Sequence, residues 1–469
     1  MSNMTSDARP EGLDAVSAYI KQNEESFLAR LMDYVRHPSI SAQNKGIREV
    51  CQLLVTMLDR LGMEAEAIET TGHPMVLGRR GDDPDRPTVL FYGHYDVQPP
   101  EPYEEWVSPP FEPTIRDGRI YARGVGDNKG QHFAQLLALE SWLAVHGDLP
   151  CNVIFLLEGE EEVGSPHIAE FVKTHRDRLK ADLVVTSDGP LHISGRPIIV
   201  FGVRGMVSFD LEVRTASRDT HSGNFGGVMP NAIWTLVHLL ATMKTADGRI
   251  TIDGLHDAIV SPTKAELAAV ANLPDSVDDV MQDLSLSRLD APADRPFADR
   301  LMFHPTLTIN GLHGGYGGPG SKAVLPCEAI AKCDIRLVEA MTPEDVLDKV
   351  EKHVALHAPE VRVVRRAGML PSKTQMDSPY AKALIAAVRD ARGEDPLLYP
   401  ALGGSLPDYV FTKILETPAF VVPYANADEA NHAPNENLKI ECFYSGIQVG
   451  AAMIARLGQM RVPRYGANA

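Results

Sequence analysis

Three short, wholly apolar runs in the first half of the chain constrain its fold more than any other feature. Residues 89–92, 153–157 and 183–185 are each bounded by glycine, proline or acidic residues, as buried strands of an α/β sheet are. Between the first two runs, apolar residues recur at helical spacing after Gly130. This alternation of strand and helix patterns predicts an α/β fold.

A different pattern begins near Gly205. Residues Val207 to Val213 alternate apolar and polar side chains, which predicts a strand with one buried face. The other elements predicted for this part are strands at 306–310, 329–338 and 361–365, an acidic helical stretch at 261–300, and a helix with Thr342 as N-cap and Pro343 at its first position.

We therefore predict two domains, one of which is split in sequence. The split α/β domain comprises residues 1–204 and 374–469, and the smaller inserted domain comprises residues 205–373. A chain of 469 residues suits this division, because domains usually contain about 100–200 residues.

Charge and cysteine content restrict the partners and the compartment of the chain. Asp and Glu outnumber Lys and Arg by 63 to 45, and the net charge of −18 disfavours binding to nucleic acid or to an anionic membrane. The five cysteines are scattered without CxxC spacing, and the polar opening MSNMTSDARPEG shows no secretory signal. We therefore expect a cytoplasmic protein without disulfides and without a thiolate metal site.

Histidine and acidic residues follow directly on the three apolar runs. His94 and Asp96 come after the first run, Glu161 and Glu162 lie in an acidic turn after the second, and Asp188 follows the third. Ligand sites of open α/β sheets lie at the carboxyl ends of strands. Each group alone also fits a solvated loop, but converging carboxylates would repel one another unless a cation neutralises them.

Two further residues complete a candidate metal site with nitrogen and oxygen donors only. Asp127 lies in a glycine-rich turn between a strand and a helix, where an aspartate is also a common helix cap. His432, in the run Asn431–Glu436, is the best candidate for a second histidine. Two histidines and three carboxylates suit a pair of divalent ions, zinc first and manganese or cobalt next.

Taken in order, these motifs resemble those of the co-catalytic zinc metallopeptidases related to carnosine dipeptidase. The wider superfamily includes aminoacylases, glutamate carboxypeptidases, acetylornithine deacetylase and succinyl-diaminopimelate desuccinylase. The resemblance runs from about Ser26 to Arg456, and the run Gly93–Pro99 is most similar to the dipeptidase branch. It implies a zinc-peptidase-like catalytic domain with a central mixed sheet, interrupted by an α+β, ferredoxin-like lid and dimerisation domain.

The resemblance also implies how the metal ions would be held. His94 and Asp188 would hold one ion, and Glu162 and His432 would hold the other. Asp127 would bridge the two ions. The pair would polarise the scissile carbonyl and acidify water.

Catalytic and substrate-binding roles are implied for residues of both predicted domains. Asp96 would orient His94, and Glu161 would be the general base. His221, otherwise an ordinary loop histidine, would stabilise the oxyanion across a dimer. Arg336, otherwise a partner in a strand-surface salt bridge, would bind the C-terminal carboxylate of the substrate. The residues implied to line the substrate pocket are Asn310, Gly404 and Ser405.

We therefore predict a homodimeric, dinuclear metallopeptidase that hydrolyses dipeptides or short peptides with a free C-terminal carboxylate. Two other functions remain open from the sequence. An N-acyl-amino-acid deacylase on the same scaffold would cleave the same kind of amide bond. A catalytically inactive metal-binding or interaction protein is the other alternative, and the intact Glu161 argues against it.

Overall fold

The computed structural model describes residues 8–274, 277–289 and 296–460. Part of the predicted acidic helical stretch and most of the polar opening therefore lie outside the described residues. The internal contacts divide the chain into two compact units. Unit 1 comprises residues 8–202, 374–399 and 410–460, and unit 2 comprises residues 203–274, 277–289, 296–373 and 400–409.

The first segment of unit 1 alternates helices and strands. Its elements are α1 (Leu13–Gln22), α2 (Glu24–Val35), α3 (Ile47–Arg60), β1 (Glu64–Ile68), β2 (Met75–Arg80), β3 (Thr88–His94), β4 (Thr114–Arg116), β5 (Arg119–Tyr121), α4 (Gly130–His146), β6 (Asn152–Glu158), α5 (Ile168–Thr174), β7 (Leu183–Thr186), β8 (Ile198–Val200) and β9 (Gly202–Val203).

The inserted segment and the return to unit 1 complete the chain. The elements of the insert are β10 (Gly205–Arg214), β11 (Thr220–His221), α6 (Ser222–Phe225), α7 (Ala232–Met243), α8 (Lys264–Ala271), α9 (Val277–Asp283), α10 (Phe297–Phe303), β12 (Thr306–Gly314), β13 (Val324–Leu325), β14 (Glu328–Leu337), α11 (Pro343–His357), β15 (Arg362–Met369) and β16 (Ser372–Lys373). The elements that follow are α12 (Pro379–Arg392), β17 (Leu397–Tyr399), β18 (Ala419–Val421), β19 (Asn437–Lys439) and α13 (Ile440–Gly458).

The core of unit 1 is a mixed sheet of eight strands in the order β1-β2-β6-β3-β7-β18-β8-β17. β6, β3 and β7 are parallel neighbours, whereas β2 runs antiparallel to β6. Every residue of β6 and β7 is buried, which explains why these strands are continuous apolar runs in the sequence. α13 packs against both α4 and α12, and α4 also packs against β3.

Unit 2 is built around an antiparallel sheet in the order β12-β14-β10-β15. With α7 after β10 and α11 after β14, this is the β-α-β-β-α-β arrangement of ferredoxin-like folds. The alternation predicted for β10 is confirmed, because Val207, Phe209, Leu211 and Val213 are all buried. These side chains form a second core with α7 and α11, separate from that of unit 1.

The helix start predicted at Thr342 is also confirmed. The Thr342 hydroxyl accepts a hydrogen bond from the backbone N–H of Asp345, and Pro343 occupies the first helical turn. None of the helices in the described part of the chain has the length and apolar content that a membrane span needs.

Candidate metal centre

The three apolar strands end together at one edge of the central sheet, because parallel neighbours share the direction of their carboxyl ends. His94 is the last residue of β3 and lies in register with Glu158, the last residue of β6. Glu161 and Glu162 lie in the turn that follows β6, and Asp188 follows β7. The fold thus gathers an imidazole and several carboxylates at one edge.

The imidazole of His94 is fully buried and meets acidic residues on both nitrogens. Its Nε2 lies 3.0 Å from Oδ1 of Asp127 and 3.6 Å from Oδ2 of Asp188. Its Nδ1 lies 3.1 Å from the backbone oxygen of Asp96 and 3.4 Å from its carboxylate. Burial alone would lower the pKa of His94, but these three acids raise the pKa well above its ordinary value.

Asp127 is shared between two histidines. It lies in the turn before α4, where Gly124 adopts a left-handed φ of 82°. Its Oδ1 faces His94, and its Oδ2 lies 3.1 Å from Nε2 of His432. Burial alone would raise the pKa of Asp127, but the two imidazoles lower it below its ordinary value. The side chain does not cap α4, so the helix-cap alternative does not hold.

Glu162 and His432 form the other half of the site. Nε2 of His432 lies 3.1 Å from Oε2 of Glu162, and Gln98 donates a hydrogen bond to the same oxygen at 2.8 Å. The hydrogen bonds with Asp127 and Glu162 raise the pKa of His432 to about 10. Burial, reinforced by Asp127, raises the pKa of Glu162 to about 7. Without a cation, the carboxylates of Asp127 and Glu162 therefore repel each other.

The residues present fit divalent metal ions in both number and spacing. One donor atom from each of His94, Asp127 and Asp188 lies within 4.8 Å of the others, and the same holds for Asp127, Glu162 and His432. Two donors about 2.1 Å from a tetrahedral ion are themselves roughly 3.4 Å apart. The separations of 3.0, 3.1 and 3.6 Å between donors in the structure are close to that value.

Glu161 lies beside these donors but belongs to neither group. The backbone N–H groups of Glu161 and Glu162 donate to the two carboxylate oxygens of Asp96 at 3.2 and 3.1 Å. Asp96 therefore fixes the acidic turn in addition to contacting His94. Burial and the nearby acidic side chains raise the pKa of the Glu161 carboxyl well above its ordinary value, which makes it a better proton acceptor once ionised.

The predicted substrate-binding residues form a polar cluster within unit 2. Arg336 on β14 donates to Oγ of Ser405 at 2.7 Å, and its Nε lies 3.8 Å from Oδ1 of Asp334. Asn310 donates to Oδ2 of Asp334 at 2.8 Å. Gly404 precedes Ser405 in the same loop and is exposed. The cluster therefore holds a partly exposed guanidinium group beside the carboxylate of Asp334.

His221 on β11 has an exposed side chain. Its Nδ1 accepts a hydrogen bond from the backbone N–H of Gly223 at 3.0 Å. The ring proton of the neutral imidazole is therefore on Nε2, which leaves an N–H group able to donate to a ligand. In the described part of unit 2, no hydrogen bond joins His221 to the Arg336 cluster.

The sequence profile of peptidase family M20/M25/M40 matches residues 90–456, which is most of the chain. The chain belongs to this family. The resemblance drawn from the motifs is confirmed, and the chain is a metallopeptidase. Members of the M20 family bind divalent metal ions, in agreement with the two donor groups described above.

Curated relatives that match nearly the whole chain are named as dipeptidases. The rat Beta-Ala-His dipeptidase is 28% identical over 473 residues, which cover 96% of this chain and 96% of the relative. The Cys-Gly metallodipeptidase of Schizosaccharomyces pombe is 29% identical over 475 residues, which cover 96% of this chain and 99% of the relative. These names do not favour the deacylase or the inactive protein considered above.

Solved structures of M20 peptidases share the fold. An M20 family metallo-carboxypeptidase from Sulfolobus solfataricus superposes with a TM-score of 0.87 at 32% identity, over 92% of this chain and 99% of the other. Human carnosine dipeptidase 1 superposes with a TM-score of 0.82 at 28% identity, over 97% of this chain and 100% of the other. The predicted fold class, a catalytic domain with a mixed sheet interrupted by a smaller domain, is confirmed.

A buried network of hydrogen bonds around Asn128, next to Asp127, is not predicted from the sequence. Burial lowers the pKa of His132, so its ring is neutral, with Nε2 at 2.9 Å from the hydroxyl of Tyr34 and Nδ1 at 3.2 Å from Oδ1 of Asn128. The amide of Asn128 in turn donates to the backbone oxygen of Ser187 at 2.5 Å. An aspartate could not make this last bond when ionised, which accounts for an amide at position 128.

Glu436 was also missed. It lies four residues after His432 in an irregular loop, where no periodicity indicates which side chains turn inward. The one feature of the sequence that could have indicated a role for Glu436 is its closeness to the candidate ligand His432.

Proposed function

We propose that this metallopeptidase hydrolyses dipeptides, or short peptides with a free C-terminal carboxylate, at a dinuclear metal site. One observation carries the proposal. Asp127 presents one oxygen to His94 and the other to His432, beside a carboxyl group, Glu161, that belongs to neither donor group. Relatives named as Beta-Ala-His and Cys-Gly dipeptidases support dipeptides as the substrate class.

We assign the metal ligands from the two donor groups. His94 and Asp188 would hold one ion, Glu162 and His432 would hold the other, and Asp127, which belongs to both donor groups, would contribute to each. Zinc is the ion we propose, with manganese and cobalt as alternatives, because imidazole and carboxylate donors suit all three. When bound, two such ions polarise the scissile carbonyl and lower the pKa of water.

Glu161 is the proton carrier in this assignment. Its carboxylate takes a proton from the attacking water as the water oxygen bonds to the scissile carbonyl carbon. The same carboxyl group then returns the proton to the leaving amine nitrogen as the C–N bond breaks. Asp96 positions this carboxylate through the backbone N–H groups of Glu161 and Glu162.

Unit 2 supplies the remaining contacts to the substrate. Arg336 binds the C-terminal carboxylate, since a guanidinium group can donate two parallel hydrogen bonds to it. Ser405 and Asn310 hold Arg336 and Asp334 in place, and Gly404 leaves room beside them. His221 donates its Nε2–H to the developing oxyanion of a substrate bound by the partner subunit of a homodimer.

We further propose that unit 2 serves as lid and dimerisation domain, and that the protein is cytoplasmic. In support of a reducing compartment, all five cysteines are free and buried.

The test is a substrate panel with metal replacement. Metal-free protein is reloaded with Zn²⁺, Mn²⁺ or Co²⁺ and assayed on dipeptides, their C-terminal amides, tripeptides and N-acetyl amino acids. We expect dipeptides to be cleaved fastest and amides more slowly. Cleavage of N-acetyl amino acids with no cleavage of any dipeptide would contradict the proposal and indicate a deacylase.

A variant pair tests the role of Glu161 in the same assay. Glu161→Gln should retain both metal ions and lose about 100- to 10,000-fold in kcat, the range expected for loss of a general base. Glu160→Gln is the matched control, because Glu160 pairs with His167 at 2.6 Å and belongs to neither donor group. Wild-type turnover by Glu161→Gln would remove Glu161 from the mechanism.

A further inference from the structure

The carboxylate of Glu436 lies beneath the turn that carries Asp127 and accepts hydrogen bonds on both oxygens. Oε1 accepts from the backbone N–H groups of Gly126 and Asp127 at 3.0 and 3.1 Å. Oε2 accepts from the N–H group of Gly124 at 2.9 Å and from Nη1 of Arg123 at 2.8 Å. Glu436 is only 1% exposed, so no water replaces any of these four bonds.

The Asp127 turn depends on this carboxylate because its backbone is not helical. Gly124 is left-handed, and Asp127 has φ −118° and ψ 91°. The three N–H groups at positions 124, 126 and 127 all point to Glu436, whereas in a regular helix they would point along the axis. A buried N–H group without an acceptor destabilises the fold, so the turn in this shape requires an acceptor at that place.

The backbone of Glu436 belongs to the loop that carries His432. His432 has a left-handed φ of 57° and Asn435 one of 64°. This backbone conformation is uncommon for residues other than glycine, so the loop keeps its shape only if its ends are held in place. Asn437 donates from its backbone to Glu429 at 2.8 Å, and the backbone oxygen of Glu436 accepts from Ala122 at 3.1 Å. The residue that holds the Asp127 turn is therefore also anchored at the base of the His432 loop.

Arg123 keeps this carboxylate from adding to the negative charge of the metal site. The guanidinium group is 1% exposed, lies over the ring of Trp106 at 5.2 Å from its centroid, and pairs with Glu436. The pair is neutral as a whole. Glu436 can thus contact the Asp127 backbone without competing for a cation.

We propose that Glu436 is a positioning residue for the metal site, which fixes the Asp127 turn against the His432 loop so that Asp127 reaches both histidines. The inference rests on the ligand set assigned under the proposed function. A merely structural role would predict lower stability without a specific loss of metal affinity.

The chain offers a matched control for that alternative. Asp390 on α12 and Arg456 on α13 form another carboxylate–guanidinium pair in unit 1, which is largely buried. The nitrogens of Arg456 donate to the two carboxylate oxygens of Asp390 at 2.6 and 2.9 Å. Asp390→Asn breaks a pair of the same kind without touching the Asp127 turn. Any loss of metal affinity that follows from general destabilisation should appear in this variant too.

The experiment titrates metal-free proteins with Zn²⁺ by calorimetry and measures their denaturation by urea. Glu436→Gln should weaken Zn²⁺ binding about 10- to 100-fold, as is usual when a residue that orients a metal ligand is replaced. Asp390→Asn should lose stability but keep its Zn²⁺ affinity within about twofold of wild type. Equal Zn²⁺ affinities of Glu436→Gln and wild type would overturn the inference.

A double variant separates stability from positioning. Arg123→Met with Glu436→Gln removes both buried charges, so it should regain stability relative to Glu436→Gln alone. Its Zn²⁺ affinity should stay low, because the three backbone N–H groups still lack the carboxylate. Recovery of affinity together with stability would overturn the inference.

Glu436→Asp keeps the charge but has a shorter side chain, so it should also bind Zn²⁺ more weakly than wild type. This variant replaces Glu436→Gln in the experiment if Glu436→Gln does not fold.

Asp127→Asn distinguishes failure of this inference from failure of the proposed function. If it loses Zn²⁺ affinity while Glu436→Gln does not, only the positioning role is wrong. If Asp127→Asn binds Zn²⁺ as wild type does, the assigned ligand set is wrong, and the positioning role of Glu436 is wrong as well.

Discussion

Glu158 is a buried carboxyl group that adds no charge to the crowded acids at the carboxyl end of β6. Its Oε2 accepts hydrogen bonds from Tyr92 at 2.7 Å and from Ser165 at 3.2 Å, while Oε1 has no partner among the described residues. Burial raises the pKa of Glu158 to about 8, although the bond from Tyr92 opposes the shift. Near neutral pH the side chain is therefore a carboxylic acid.

This assignment predicts a pH-dependent stability. A glutamate in the unfolded chain has a pKa of about 4.3, so between that value and about 8 the folded protein holds one more proton than the unfolded chain. The free energy of unfolding should then fall as pH rises, by at most about 1.4 kcal/mol per pH unit. Glu158→Gln mimics the protonated acid and should remove this decrease.

Urea denaturation of the metal-free wild type and of Glu158→Gln, from pH 5 to pH 8, measures the effect. The stability of the variant relative to wild type should increase with pH. A difference that does not change with pH would show that Glu158 titrates alike in the folded and unfolded chains.

At the scale of elements, the alternation of β14 determines which side chains are available to a ligand. Ala329, Ala331, Cys333, Ile335 and Leu337 are buried in the core of unit 2. Because side chains alternate along a strand, Asp334 and Arg336 lie together on the opposite face. The Arg336 guanidinium group is 31% exposed and has hydrogen-bonding capacity beyond its bond to Ser405.

We expect Arg336→Met to raise KM for dipeptides about 10- to 100-fold and to change kcat less. A hydrogen bond to a charged group contributes about 1.5–3 kcal/mol, and each 1.4 kcal/mol is a factor of ten. Steady-state kinetics on dipeptides and their C-terminal amides measures this. Arg366→Met is the control, since Arg366 pairs with Asp210 on the same sheet. An equal rise in KM for the amides would count against carboxylate binding.

The elements of the site differ in how well the sequence predicts them. β3, β6 and β7 are predictable because a strand buried on both faces must be a continuous apolar run. His94, Glu162 and Asp188 follow these runs directly. Because the three strands are parallel neighbours, their carboxyl ends and therefore these side chains come together at one edge of the sheet. His432 and Glu436 lie in an irregular loop without periodicity. His432 was a candidate because the site needed a second histidine, and the resemblance implied its role, but nothing in the sequence indicated the contacts of Glu436. The association of residues 400–409 with unit 2 depends on tertiary contacts that no local pattern encodes.

At the scale of the whole molecule, unit 2 carries apolar side chains that its own core does not cover. Ile309 and Leu312 on the edge strand β12 are 49% and 47% exposed, and Trp234 on α7 is 60% exposed. An edge strand with exposed apolar residues is a common site of association between chains. These features support the proposed homodimer through unit 2.

Subunit exchange tests whether His221 acts across that dimer. His221→Ala and Glu161→Gln should each be inactive alone. Their equimolar mixture should recover about one quarter of wild-type activity, because half of the exchanged dimers are mixed and each contains one complete site. Glu161→Gln mixed with the double variant Glu161→Gln/His221→Ala should recover nothing. No recovery in the first mixture, with exchange verified by native mass spectrometry, would contradict a role in trans.

The order in which the donor residues occur along the chain affects biosynthesis. His432, the partner of the second oxygen of Asp127, is the 305th residue that a ribosome adds after Asp127. A growing chain therefore lacks the donor group of Asp127, Glu162 and His432 until His432 has been added. That group cannot bind a metal ion before His432 has been made, and a chain terminated before His432 would lack one half of the proposed metal site.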